Sequence, residues 1–288
     1  MMIKINGNNI YYEIHGNPEG EPIFFIHGAP GLGDCRNDIK AFSALGDDYQ
    51  LVFMDMRGSG RSEGKPPFTH EQWAADIEEL RKRLVDAPIK ILGGSYGGYL
   101  ALEYVIRYPE QVTHVLLRDT APSNDFDHLS IDRALKSQLP GVTEDRLVKL
   151  FAGKVESNQE LKDMFAAIQP LYTVEYDEEA VKKRLDSIFY RFETHNFAFS
   201  VNKPRYDVQP QLPAIKVPTL VTVGRHDWIT PVLCSEIIAE HIPNSKLVIF
   251  EQSGHSPHLE ENEDYLKLVR NFLQKNSVGK TDKASSES

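Results

Sequence analysis

The segment Pro88-Ile89-Lys90-Ile91-Leu92-Gly93-Gly94-Ser95-Tyr96-Gly97 decides how this chain is read. Its first five residues are short and rich in β-branched side chains, as in a buried strand. After Gly97, the apolar residues Tyr99, Leu100, Leu102, Tyr104 and Val105 recur at roughly helical spacing until Pro109 ends the run. A serine between a strand and a helix sits on a sharp turn, in a strained conformation that exposes its hydroxyl. Glycines at 93 and 97 let neighbouring segments approach without a Cβ clash. The helix that follows turns backbone N–H groups toward any negative charge forming beside Ser95. The pattern makes Ser95 a candidate nucleophile.

The flanking segments give this turn a context. Ile23–Ile26 and Leu51–Met54 are short continuous apolar runs, the pattern of strands buried on both faces. Lys4-Ile5 and Ile10–Ile14 flank Asn6-Gly7-Asn8-Asn9 and predict an N-terminal hairpin. Between Thr69 and Val85 a helix is expected, with Trp73, Ile77, Leu80 and Leu84 on one face and Thr69 as its cap. Val112–Leu117 reads as another buried strand. Strands alternating with helices imply right-handed crossovers and an α/β fold with a doubly wound, mostly parallel sheet.

The alternation stops near Pro122. From Asp125 to about Tyr206 the chain is charged and helical, with Leu147, Leu150, Phe151, Leu161, Phe165, Ile168, Leu185, Phe189 and Phe192 at irregular helix spacing. Residues 123–206 are therefore expected to form an inserted helical cap between core segments 1–122 and 207–275. Strand signals resume at Thr219–Val223 and Lys246–Phe250, with helices expected near Val232–His241 and Asn262–Leu273. Ligands gather beyond the carboxyl ends of parallel strands, so a cap inserted there lies over Ser95. The Ser/Lys/Glu-rich segment 276–288 is expected to be a disordered tail.

Bulk properties narrow the function. The chain has 288 residues, 41% of them hydrophobic and 26% charged, ordinary for a soluble globular protein with one large domain. A formal net charge of −10, with no Lys/Arg cluster, argues against a nucleic-acid partner and weakly against strongly anionic substrates. Cys35 and Cys234 are in neither metal-ligand nor redox spacing and read as free thiols. No basic-then-apolar leader and no run long enough to span a bilayer are visible, so a cytoplasmic location away from membranes is expected.

A serine hydroxyl needs a base, and the base needs a third group to orient it. His255 follows directly on the strand Lys246–Phe250 and is the expected base, with His258 as its local competitor. Asp227 follows the strand Thr219–Val223 and is the expected acid; Asp119, after Val112–Leu117, is the alternative. The backbone N–H of Tyr96 offers one oxyanion donor. The loop His27-Gly28-Ala29-Pro30-Gly31 offers the other through Ala29, because Pro30 has no N–H. His27 is read as a structural residue of that loop, and Asp55 and Arg57 as clamps between loops through buried ion pairs.

Together these motifs, over about Ile3 to Gln274, resemble the α/β-hydrolase superfamily, and within it the proline iminopeptidase group and its esterase relatives. The group's His-Gly-Gly-Pro-Gly appears as His27–Gly31 with Ala29 for the middle glycine. Asp-x-Arg-Gly-x-Gly-x-Ser appears as Asp55–Ser62, and Gly-Gly-Ser-Trp/Tyr-Gly as Gly93–Gly97. The resemblance implies a serine hydrolase with a helical cap, a small-molecule substrate, and no metal or organic cofactor. Proline iminopeptidases hold the substrate's α-amino group with glutamates, one directly after the triad aspartate and one in the cap. Here Trp228 and Asn196 stand at those positions, with Glu193 or Asp207 as substitutes. A cationic amine without a carboxylate partner in a dry pocket is costly, and Trp228 reads as an apolar wall. The expected activity is hydrolysis of a neutral ester, lactone or amide; the alternatives are a proline iminopeptidase and, remotely, a non-catalytic binding protein on the same scaffold.

Overall fold

The computed structural model describes residues 1–275, and the tail expected over 276–288 lies outside the described residues. Eight strands form one sheet: β1 (Met2–Ile5), β2 (Asn8–Gly16), β3 (Pro22–Ile26), β4 (Gln50–Met54), β5 (Ile89–Gly94), β6 (Val112–Arg118), β7 (Thr219–Gly224) and β8 (Ser245–Phe250). Their order is β1-β2-β4-β3-β5-β6-β7-β8. β1 and β2 make an antiparallel hairpin and β2 pairs antiparallel with β4, while the pairs from β4 through β8 are parallel.

Period-two alternation sends each central strand into two cores. Phe24, Ile26, Val52 and Met54 face one core, which packs Trp73, Ile77 and Leu80 of α2 (His70–Leu84) and Leu100 of α3 (Tyr96–Arg107). Ile23, Phe25, Leu51 and Phe53 face the other, with Phe42 of α1 (Arg36–Phe42). The Thr69 hydroxyl caps α2, accepting from the Gln72 N–H at 3.1 Å.

Between β6 and β7 the chain forms α4 (Asp127–Lys136), α5 (Glu144–Phe151), α6 (Asn158–Ile168), α7 (Glu178–Asp186) and α8 (Phe192–Phe197). Seven of the nine cap residues expected inside, among them Leu147, Leu161 and Leu185, join a third core. Phe192 packs on it half-buried, whereas Phe189 is exposed. The chain leaves and re-enters the sheet side by side: Val208 N–H donates to Pro122 O (2.9 Å), and Asn124 N–H to Tyr206 O (3.0 Å). Three helices complete the body, α9 (Val232–His241), the short α10 (Pro257–Glu260) and α11 (Asn262–Lys275). Cys35 and Cys234 are buried free thiols. No helix among the described residues is long and apolar enough to cross a membrane.

The loop Asp55–Ser62 is pinned from below. Arg57 makes two bonds to Asp76 of α2, at 2.7 and 2.8 Å, with both side chains 1% exposed. Arg57 also donates to the carbonyls of Asn6 and Lys65. Arg57→Ala leaves Asp76 buried and short of its charge partner, and should lower stability by about 3–5 kcal/mol. Urea unfolding checks this; a loss under 1 kcal/mol would mean that the pair behaves like a surface contact.

Candidate active site

Ser95 occupies the turn between β5 and α3 with φ 54° and ψ −125°. A non-glycine residue there persists only when its surroundings hold it. The Ser95 N–H donates to Arg118 O at 2.9 Å, and the Thr120 hydroxyl donates to Ser95 O at 2.8 Å. Close backbone packing completes the hold. A Cβ on Gly97 would sit 2.0 Å from the Ile26 carbonyl oxygen, and one on Gly28 would sit 2.9 Å from the Ser95 Cβ.

The loop carrying Gly28 therefore passes directly against Ser95 and Tyr96. Ala29 adopts φ 52°, and the N–H groups of Ala29 and Tyr96 donate to no acceptor among the described residues. Both residues line the same cavity as Ser95. His27 ties this loop to its neighbour: its Nε2 accepts from Met56 N–H (3.0 Å), which leaves Nδ1–H to donate to Gly28 O (2.9 Å). Asp55 accepts from Cys35 N–H and from the Arg61 guanidinium.

Asp227 and His255 come together from the ends of β7 and β8. His255 Nδ1 donates to Asp227 Oδ2 at 2.9 Å. The Asp227 carboxylate also accepts from the N–H groups of Ile229 and Thr230 and from the Thr230 hydroxyl. Burial alone would raise its pKa, but His255 and these donors outweigh burial and hold it below the ordinary carboxylate value. Asp119 is the reverse case. Burial, with the charge of Asp227 added, drives its pKa far up, which favours its neutral form. Its Oδ1 accepts from Gly224 N–H at 3.0 Å.

Oxygens of Asp119 and Asp227 and a ring nitrogen of His255 lie within 4.8 Å of one another, a grouping able to hold a cation. His255 Nδ1–H is committed to Asp227, and Asp119 Oδ2 makes no hydrogen bond among the described residues, so this donor set reads instead as two buried carboxyls beside a histidine. The Ser95 hydroxyl makes no hydrogen bond among the described residues, a contact that in many hydrolases tightens only with substrate bound. His258 lies elsewhere: it is buried against Phe42 (5.8 Å between centroids) and Tyr265 (6.3 Å), and burial drives its pKa far down.

The cavity above Ser95 is walled by Tyr99, Phe151, Phe165, Tyr172 and Phe199. Four residues that the sequence offered for substrate contact are not in this wall. Trp228 packs behind it, on Tyr172 (5.5 Å) and Phe151 (6.4 Å), so its successors Ile229 and Thr230 face the cavity instead. Asn196 spends its amide on Val155, donating to the carbonyl and accepting from the N–H, which braces the cap. Glu193 is exposed because it opens the outer face of α8, and Asp207 is exposed beside the cap's exit.

The wall holds polar groups that sequence reading missed. Lys203, 4% exposed, donates to both oxygens of Asp127 at 2.5 and 2.7 Å, and its ammonium lies 4.9 Å from the Phe199 ring centroid. His195 is stacked on Phe199 at 4.3 Å, and burial lowers its pKa from 6.5 to about 4. His195, Phe199 and Lys203 recur every four residues. In an α-helix such a row drifts around the axis, but Ala198–Asn202 is a π-helix, whose wider turns counter that drift. The spacing was visible in the sequence, yet the π stretch and a pair 76 residues apart were not.

A model of the α/β-hydrolase fold matches residues 21–262. The chain is an α/β-hydrolase of the proline iminopeptidase-like group. It is 35% identical to proline iminopeptidase PfmaB of Pestalotiopsis fici, covering 95% of this chain and 99% of that protein. It is 30% identical to a proline iminopeptidase of Clostridioides difficile, covering 95% and 97%. Among solved structures it resembles a thermophilic esterase from Thermogutta terrifontis, with 27% identity, a TM-score of 0.77, and 96% and 99% of the two chains covered.

Protonation of His195 should contribute to the acid sensitivity of this hydrolase, alongside that of buried His258. The unfolded residue titrates near 6.5 and the folded one near 4, so below 6.5 the unfolded chain takes up a proton that the folded chain refuses. Stability is therefore lost as pH falls from 6.5 toward 4, by about 2 kcal/mol between pH 7 and pH 5 from this residue. Urea unfolding of His195→Phe at the two pH values should show a smaller difference than in the wild type. An identical difference would refute the assignment.

Proposed function

We propose that this hydrolase cleaves carboxylic esters, or related lactones and amides, of small and mostly neutral substrates through an acyl-enzyme on Ser95. The Ser95 hydroxyl attacks the carbonyl carbon while its proton passes to His255, whose ring is oriented by Asp227. Charge forming on the carbonyl oxygen is taken by the N–H groups of Ala29 and Tyr96. His255 then protonates the departing alcohol or amine. Water attacks the acyl-enzyme by the same route, returning the proton to Ser95. Asp119, protonated, leaves the negative charge on the carboxylate that touches His255.

One observation carries the preference for neutral substrates. The carboxylate in the cavity wall, Asp127, is already neutralised by Lys203. An incoming ammonium would have to displace Lys203 or sit beside it, at a cost in a low-dielectric site. The likeness to an esterase supports the same reading. The second reading, an aminopeptidase releasing N-terminal proline, is favoured by the names of the sequence relatives. It would require the amine to compete with Lys203 for Asp127.

Turnover of a short-chain 4-nitrophenyl ester should exceed that of prolyl 4-nitroanilide in kcat/KM, and Ser95→Ala should abolish both. Dominance of the prolyl substrate, with loss of rate when its amine is acetylated, would transfer the assignment to the aminopeptidase. The histidines should separate as well. His258→Phe, which can keep the stack on Phe42, should retain most ester hydrolysis, whereas His255→Phe should lose it by about 10³-fold or more. Equal losses in folded variants would sink the choice of base.

A further inference from the structure

His195 lines the cavity, is 1% exposed, and has one ring nitrogen with no partner. Its Nε2 lies 3.0 Å from the Leu150 carbonyl, which can only accept, so Nε2 carries the ring proton. Deep burial keeps the ring neutral, with its pKa lowered to about 4. Nδ1 is therefore a bare acceptor lone pair. Buried acceptors in folded proteins are almost always met by a donor, and an unmet one costs its full desolvation.

The charges around His195 limit what that donor can be. Lys203 packs on the same Phe199 and occupies both oxygens of Asp127, so a substrate cation would find no free carboxylate beside the ring. A carboxylate has no hydrogen to give Nδ1, and it would face Asp127. The Lys203–Asp127 pair cancels its own charge and offers neither ion a free partner. What remains is an uncharged group bearing O–H or N–H.

We infer that His195 Nδ1 is a specificity-determining acceptor for a hydroxyl or amide N–H carried by the substrate away from the scissile carbonyl. The substrates are then hydroxylated or N–H-bearing neutral esters rather than plain alkyl esters. This rests on the ester reading above and narrows it. The aromatic wall holds the apolar part of the substrate, while His195 selects the one polar group whose absence would leave a lone pair unmet. Sites built this way discriminate against the analogue that lacks the donor.

The test compares kcat/KM by pH-stat for ethyl butanoate, ethyl 2-hydroxybutanoate, ethyl 3-hydroxybutanoate, 2-hydroxyethyl butanoate and 3-hydroxypropyl butanoate on the full chain. In the wild type at least one hydroxylated ester should exceed its parent by about tenfold, the worth of one well-made hydrogen bond. In His195→Phe, which keeps an aromatic ring against Phe199 but has no acceptor, that ratio should fall to about one. Ratios near one throughout the wild-type series overturn the inference without any variant. A high ratio that survives in His195→Phe overturns it too, since His195 would then act only on structure or hold only water. If no ester is cleaved while prolyl 4-nitroanilide is, the ester reading itself has failed.

Discussion

The close approach of three backbone segments at Ser95 is the constraint on which the site depends. A serine at φ 54° gains nothing locally from that conformation and is held by what surrounds it. The Ile26 carbonyl occupies the space a side chain at 97 would need, and Gly28 lies against the Ser95 Cβ. The turn that holds Ser95 at the cavity therefore also sets Ala29 and Tyr96 along the same cavity. The turn at Ser95 and the loop after β3 are set by one packing event, with β3 and β5 adjacent in the sheet.

Polar contacts beneath the surface make that approach rigid. His27 bridges the Gly28 carbonyl and the Met56 N–H, joining the loops after β3 and β4. Arg57 and Asp76 fix the second loop to α2 in a dry environment, where one partner without the other would be costly. On the opposite side, Asp119 and Asp227 are buried carboxyls whose pKa values shift in opposite directions, so the negative charge is favoured on one of them. Their unequal surroundings decide its place: Asp227 has four donors, Asp119 a single backbone N–H. The charge is thereby concentrated on the carboxylate that orients His255.

The segment between β6 and β7 lines much of the cavity and uses a different physics. Its wall is aromatic, and its polar groups are mutually cancelled or left with a single open valence. Lys203 is satisfied by Asp127 and by the faces of Phe199 and Phe151. His195 is satisfied on one nitrogen only. Such a lining is what the proposed preference for neutral, hydrogen-bonding substrates rests on.

How legible each part was follows from the range of the interactions involved. The strands, the α2 cap at Thr69, the elbow at Ser95 and the pairing of late aspartate and histidine could be read because each depends on residues close in sequence. Expected pocket residues failed for the opposite reason: Trp228 was read from its neighbour Asp227, and Asn196 from its alignment. In the fold Trp228 turns behind Tyr172, and Asn196 serves Val155. Asp127, His195 and Lys203 acquire meaning only when a π-helical turn lines up its row and brings Lys203 to a partner 76 residues away. The sequence by itself determined the fold and the turns that carry the candidate site, since periodicity and turn chemistry are local. Only the tertiary structure decided the character of the cavity, because it depends on which distant side chains cancel one another's charge where they are buried together.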